Sequence, residues 1–223
     1  MNNNNKILND FWKVLNLAED YLSTGFRKNH TEFEFSSDSL EKITAEISVC
    51  KQCRLGETRN NTVPGTGTQN PLLMIIGEGP GAEEDKTGQA FVGRAGQYLD
   101  KWMEAIGLNR QDYLYLSNIV KCRPPGNRDP FEDEIATCLP YLERQVALLK
   151  PKLILTVGRI SSQVLTHSKM GIGKLRGKSY EYQGIELIPT YHPSAVLRNP
   201  EDYRKPVWED LKRVKIALNK KKY

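Results

Sequence analysis

The sequence predicts an α/β protein whose sheet is mostly parallel and covered by helices on both faces. Three observations carry that expectation. From residue 71 onward, strand-like and helix-like segments alternate, the order that builds parallel sheets through crossover helices. The composition is that of a globular chain, 39% hydrophobic and 26% charged over 223 residues, long enough to bury a core of its own. The apolar runs, such as residues 72–76, fall far short of the ~20 residues that cross a bilayer, so no membrane span is expected.

Residues 6–22 read as an amphipathic helix with Ile7, Phe11, Val14, Ala18 and Tyr21 on one face, ended by Gly25. A polar stretch without period follows, so residues 1–36 form an extension and residues 37–223 the main domain. The next helix is expected to start at Asp38, with Glu41 closing a capping box; Leu40, Ile43 and Ile47 give it an apolar face. Strands are expected at 72–76, 113–120, 152–157 and 185–191, and helices at 94–106, 131–149, 159–166 and 201–219. Asp129, Pro130 and Glu132 make a cap-then-proline start for the helix near 131. The last helix would bury Val207, Trp208, Leu211, Val214 and Leu218 along one stripe. There is no internal repeat.

Four cysteines are present, Cys50 and Cys53 as C-x2-C and Cys122 and Cys138 as C-x15-C. Two close pairs far apart in sequence can offer four thiolates to one centre, a zinc ion or an iron–sulfur cluster. Disulfides are disfavoured because cysteine is sparse and the first residues, which include Asp10, lack a signal-peptide pattern. Free buried thiols are the third reading. The same features point to a cytoplasmic protein. The net charge is only +5, yet basic residues cluster: Lys121, Arg123 and Arg128; Lys174, Arg176 and Lys178; Arg198, Arg204 and Lys205; Lys220 to Lys222. Such grouping suits a polyanion, although solvated surface lysines produce a similar pattern.

Open parallel sheets bind ligands at the carboxyl ends of their strands. After residues 72–76 comes Gly77-Glu78-Gly79-Pro80-Gly81, then Ala82-Glu83-Glu84-Asp85. Pro80 removes one N–H and the carboxylates repel phosphate, so this loop suits a neutral or partly anionic group better than a pyrophosphate. Asn118, near the end of the second strand, must satisfy a carboxamide with both donors and an acceptor; pairing to neighbouring backbone is the plainer alternative. His192 ends the fourth strand and is followed by Pro193, a small apolar tip and Arg198, a setting that His30 and His167 lack.

In order, C-x2-C, GEGPGAEEDKTGQAFVGRAGQ, NIVKCRPPGNRDP and HPSAVLR resemble the type 4, iron–sulfur branch of the uracil-DNA glycosylases from about residue 50 to 218. The resemblance implies a three-layer α/β/α sandwich around a four-stranded parallel sheet. It also implies a 4Fe–4S cluster on Cys50, Cys53, Cys122 and Cys138, and removal of uracil from DNA. In that reading, Gly77, Glu78 and Gly79 present backbone to the base, Phe91 stacks on it, and Asn118 pairs with N3–H and O4. His192 would bond to O2 and Glu84 would lie near C5. Gly79 stands where better-known relatives have a water-orienting aspartate, leaving Glu78, Glu84 or Asp85 for that task. Ser194 and Arg198 would hold phosphates while Val196 and Leu197 wedge into the duplex. The expected partner is uracil-containing DNA, single- or double-stranded, bound by a monomer. The extension would pack on the domain or dock a replication or repair partner. Alternatives are a glycosylase for another base such as hypoxanthine, a metal-stapled DNA-binding module, or an electron-transfer protein.

Overall fold

The computed structural model describes residues 38–220. The expected helix at 6–22, His30, the linker and the end of the basic tail lie outside the described residues. The chain divides by its contacts into residues 1–37 and 38–223.

The chain begins with α1 (Leu40–Val49) and the short α2 (Leu55–Thr58). Edge strand β1 (Thr66–Gly67) and central strand β2 (Leu73–Gly77) follow, then α3 (Ala82–Thr87), α4 (Arg94–Ala105) and α5 (Arg110–Tyr113). Next come β3 (Leu114–Asn118), α6 (Glu132–Leu149), β4 (Leu153–Val157), α7 (Arg159–Leu165) and α8 (Ile172–Leu175). Strands β5 (Tyr180–Tyr182) and β6 (Ile185–Thr190) lead to α9 (Pro193–Arg198) and α10 (Pro200–Lys220). The strand order is β1-β3-β2-β4-β6-β5.

The four expected strands are the four at the centre, and they pair in parallel, β2 with β3 and β4, and β4 with β6. Two short antiparallel edge strands make the sheet six-stranded and mixed, which corrects the expectation of four parallel strands. The edges exist through partners more than through local pattern. At β1, Gly67 lies so close to β3 that a Cβ would overlap the Leu114 carbonyl. β5 is turned onto β6 at Gln183 and Gly184, both with positive φ (51° and 76°), the backbone of a tight two-residue hairpin.

Alternating strand residues face opposite sides, because successive Cβ atoms point opposite ways. Leu73, Ile75, Leu114, Leu116, Leu153 and Leu155 pack with Leu99 and Met103 of α4 and with Val207, Leu211 and Val214 of α10. Met74, Ile76, Tyr115 and Ile154 pack instead with Ile43 and Ile47 of α1, and with Leu142 and Val146 of α6. Helices therefore cover both faces. Each fully buried aliphatic side chain contributes roughly 1.5–3 kcal/mol relative to exposure. Trp208, expected in the buried stripe of the last helix, is 43% exposed.

Two helix starts differ from expectation. Ser39 caps α1, its Oγ accepting from the Lys42 N–H at 3.1 Å. Asp38 is engaged elsewhere: both of its oxygens accept from Arg144 of α6, at 2.7 Å each. α6 begins at Glu132, later than Pro130, because the Glu134 carboxylate reaches back to the Phe131 N–H (2.8 Å). Asp129 pairs with Arg159 at the start of α7.

Candidate active site and cysteine centre

The carboxyl ends of β2, β3, β4 and β6 open onto one cleft of about 450 Å³. Glu78, Gly79, Glu84, Phe91, Asn118, His192, Ser194 and Arg198 all line it, so segments more than 100 residues apart in sequence meet there. Register explains part of this. Gly77, the last residue of β2, sits opposite Asn118, the last of β3. The chains then stay together: the Ile119 N–H donates to the Gly77 carbonyl (2.9 Å) and the Val120 N–H to that of Glu78 (3.1 Å). Gly77 leaves room for both neighbours, since a Cβ there would stand 2.5 Å from Asn118 Oδ1 and 2.7 Å from the Phe91 ring.

Asn118 is 3% exposed. No described residue bonds to its carboxamide; its partner on the protein side, Lys121 Nζ, donates to its backbone carbonyl at 2.9 Å. A buried carboxamide at the wall of a cleft, without a protein partner among the described residues, keeps its donors and its acceptor available. The plainer alternative, an amide satisfied by neighbouring backbone, is not what the geometry holds.

His192 receives the Ser194 N–H on Nδ1 at 3.1 Å, with Ser194 Oγ 2.7 Å from the same atom. Nδ1 is thus an acceptor, and the proton of the neutral ring sits on Nε2. Burial, assisted by Arg198, pushes the imidazole down to about 4, so it is neutral near pH 7. Gly158, at φ 104°, lies against it; a Cβ there would be 3.3 Å from that of His192.

The three candidate carboxylates separate cleanly. Asp85 is buried away from the cleft and accepts from the Asn60 N–H (2.9 Å) and carboxamide (2.5 Å). Glu84 borders the cleft, but its oxygens accept from the N–H groups of Gly81 (3.1 Å), Val92 (3.0 Å) and Gly93 (2.8 Å), tying α3 to the start of α4. Glu78 lines the cleft without such ties. Burial, helped by the nearby Asp129 charge and opposed by Arg159, pushes its carboxyl up to about 7. Of the wedge candidates, Val196 is 1% exposed and packed in the core, whereas Leu197 is 40% exposed. That corrects Val196: its side chain supports the loop from beneath.

Asn127 and Arg159 also line the cleft and were not singled out from sequence; Arg128, noted there only for its charge, lines it too. Arg128 pairs with Glu134 (2.9 and 2.7 Å) and lies 3.8 Å over the Phe131 ring. Arg159 follows the carboxyl end of β4, and the rule that ligands gather at strand ends pointed there.

A second, smaller cavity is lined by all four cysteines, together with Ile47, Arg59 and Tyr141. Cys122 and Cys138 are buried, Cys50 and Cys53 half-buried, and none forms a disulfide. Arg59 Nη1 donates to the Cys122 sulfur (3.1 Å) and the Lys121 N–H to that of Cys138 (3.2 Å). Burial pushes the Cys138 thiol up to about 11 and raises Cys122 as well. Among the described residues, no three histidine, cysteine or acidic side chains converge closely enough to hold a single metal ion. Four thiols lining one cavity are the soft donor set that zinc or an iron–sulfur centre takes.

Residues 64–212 match the model of the uracil DNA glycosylase superfamily. The chain belongs to that superfamily. It is 49% identical over 197 residues to a type-4 uracil-DNA glycosylase of Sulfurisphaera tokodaii, covering 83% of this chain and 88% of that protein. It is 46% identical over 193 residues to the Saccharolobus solfataricus type-4 enzyme (82% and 88% covered). The Archaeoglobus fulgidus type-4 enzyme is 38% identical over 192 residues (82% and 96%). Type-5 uracil-DNA glycosylases match at lower identity, 29% for that of Mycobacterium leprae. Within the superfamily, the chain thus falls with the type-4 group.

Proposed function

We propose that this chain hydrolyses the N-glycosidic bond of deoxyuridine in DNA, releasing uracil and leaving an abasic site. The observation that carries the proposal is the open carboxamide of Asn118, set beside Phe91 and His192 in one cleft. Uracil offers a donor at N3 and an acceptor at O4, and one amide orientation meets both. Cytosine reverses the pattern, so the same orientation leaves buried polar groups unpaired and rejects it.

Bond cleavage builds negative charge on the departing base. His192, neutral with its proton on Nε2, donates to O2 as that charge grows, and a neutral donor avoids trapping a strongly bound ion. Phe91 stacks on the ring, Gly77 leaves room for Phe91 and Asn118 to approach, and the backbone of Glu78 and Gly79 runs along the edge of the base. Glu78, ionised above about pH 7, orients the attacking water in place of the aspartate that Gly79 replaces. Glu84 acts at one remove, fixing the loop that carries Phe91, and its role near C5 is confined to shaping that wall. Leu197 fills the gap left by the extruded nucleotide, while Ser194 and Arg198 hold flanking phosphates.

Cys50, Cys53, Cys122 and Cys138 would hold a 4Fe–4S cluster. It would supply a structural staple, since glycosidic hydrolysis transfers no electrons. The protein would act as a monomer in the cytoplasm on both single-stranded and duplex DNA. G·U should be preferred to A·U because the mismatch opens more readily. The extension at residues 1–36 is proposed to dock a replication or repair partner.

The test is release of free base from oligonucleotides that carry one uracil or one hypoxanthine, assayed with the brown, iron-loaded protein. Uracil release that falls steeply with salt is expected. Hypoxanthine release without uracil release would assign the alternative substrate, and binding without either would leave a DNA-binding module.

A further inference from the structure

Phe91 has φ 54°, a left-handed conformation that residues other than glycine rarely adopt. Something must hold it, because the ring's direction follows from that backbone. The holding group is Arg110, the first residue of α5. Its Nη1 donates to the Ala90 carbonyl at 3.1 Å, and its Nη2 donates to the Phe91 carbonyl and, at 3.4 Å, to that of Gly96. Its Nε is paired with Asp100 of α4, which leaves the planar head no other orientation. The turn is closed so tightly that a Cβ at Gly96 would overlap the Phe91 carbonyl. Arg110 itself does not line the cleft.

We infer that Arg110 is the positioning residue for base stacking: its guanidinium clamps the turn at Ala90, Phe91 and Gly96 and so aims the Phe91 ring at the base. The inference rests on the reading that Phe91 stacks on uracil. A fork of coplanar N–H donors can hold several carbonyls at once, whereas an ammonium on a flexible stem cannot hold the same geometry. Asp100 serves the same end by fixing the guanidinium. The strained backbone is thereby stored in the ground state of the free enzyme, ready for the base, as strain at functional sites commonly is.

The experiment compares Arg110→Gln, Arg110→Lys, Phe91→Ala and the Arg110→Gln/Phe91→Ala double variant in the full-length, iron-loaded protein. Single-turnover uracil release and melting temperature are both measured. Arg110→Gln is expected to slow release about tenfold, the scale of a misplaced contact, and Arg110→Lys to recover little of it. In the Phe91→Ala background the same change should cost at most about twofold, since no ring remains to aim. A tenfold loss in both backgrounds, or a lower melting temperature with an unchanged rate, overturns the inference. Should Phe91→Ala alone keep the wild-type rate, the stacking reading fails whatever Arg110 does. If Arg110→Gln does not fold, Asp100→Asn keeps the guanidinium but frees it. A smaller loss that again vanishes with Phe91→Ala supports the clamp, and an undiminished loss rejects it.

Discussion

The cleft and the cysteine cavity lie on either side of the same few residues, 117 to 122, and are finished in opposite ways. In the cleft, polar groups are left open: the Asn118 carboxamide has no partner among the described residues, Glu78 is desolvated without hydrogen-bonded ties, and His192 keeps Nε2 free. Around the cysteines the polar groups are engaged. Arg59 and Lys121 donate to sulfur, and Lys121 Nζ, itself 1% exposed, is satisfied by Ser117 (2.6 Å), Asn118 (2.9 Å) and Gln145 (2.9 Å). On the proposed reading, the open groups serve a base that comes and goes and the closed ones a centre that stays. Chemistry and stability should therefore separate by mutation.

The largest effect is expected at the closed site. If the proposed cluster is held there, Cys138→Ser should remove its visible absorption and most of the soluble yield, with a lower melting temperature. Any molecules that retain iron should release uracil within about threefold of wild type, because the cleft is intact. A variant with normal folding and iron but no activity would break the comparison.

At the open site, Asn118→Asp should cost roughly 10²–10³-fold on uracil and add a trace of activity on cytosine, since a protonated carboxyl reverses the donor pattern. His192→Ala should slow release about 10²-fold without altering which base is chosen. Near-wild-type rates in Asn118→Ala, with cytosine still ignored, would show that this side chain does not read the base.

The pH profile tests Glu78. Its carboxyl is raised to about 7, so the active, ionised form gains population as pH rises and the rate should climb through that region to a plateau. His192, lowered to about 4, is neutral throughout and adds no second limb there. Glu78→Gln should be about tenfold slower on the plateau and flat across the same range. The smallest effect belongs to Leu197→Ala, a few-fold loss on A·U duplex and less on single strands, where nothing needs to be opened.

The central strands were legible because a short, mostly apolar run between helix-like segments is a local signal: 185–191 was expected and Ile185–Thr190 is observed. The edge strands were not, since Thr66–Gly67 is two residues whose identity as a strand comes from β3. Caps slipped for a related reason. Asp38 and Asp129 are good local caps, but Arg144 and Arg159, distant in sequence, draw them into ion pairs. In the cleft, the motif residues were found, while Arg159 was passed over because nothing beside it in sequence suggests chemistry. Sequence also left Val196 and Leu197 equivalent. Only the packing of α9 against the core decides which of them faces out.

The spacing of the thiols has a consequence for synthesis. Cys50 and Cys53 emerge from the ribosome well before Cys138, and the cavity cannot close until α6 has been made and packed. At translation rates of roughly 5–20 residues per second, the first pair waits on the order of ten seconds for its partners. During that interval the nascent chain carries two exposed thiols and no centre to shield them. Oxidants should therefore reduce the yield of newly made protein far more than they harm the finished enzyme.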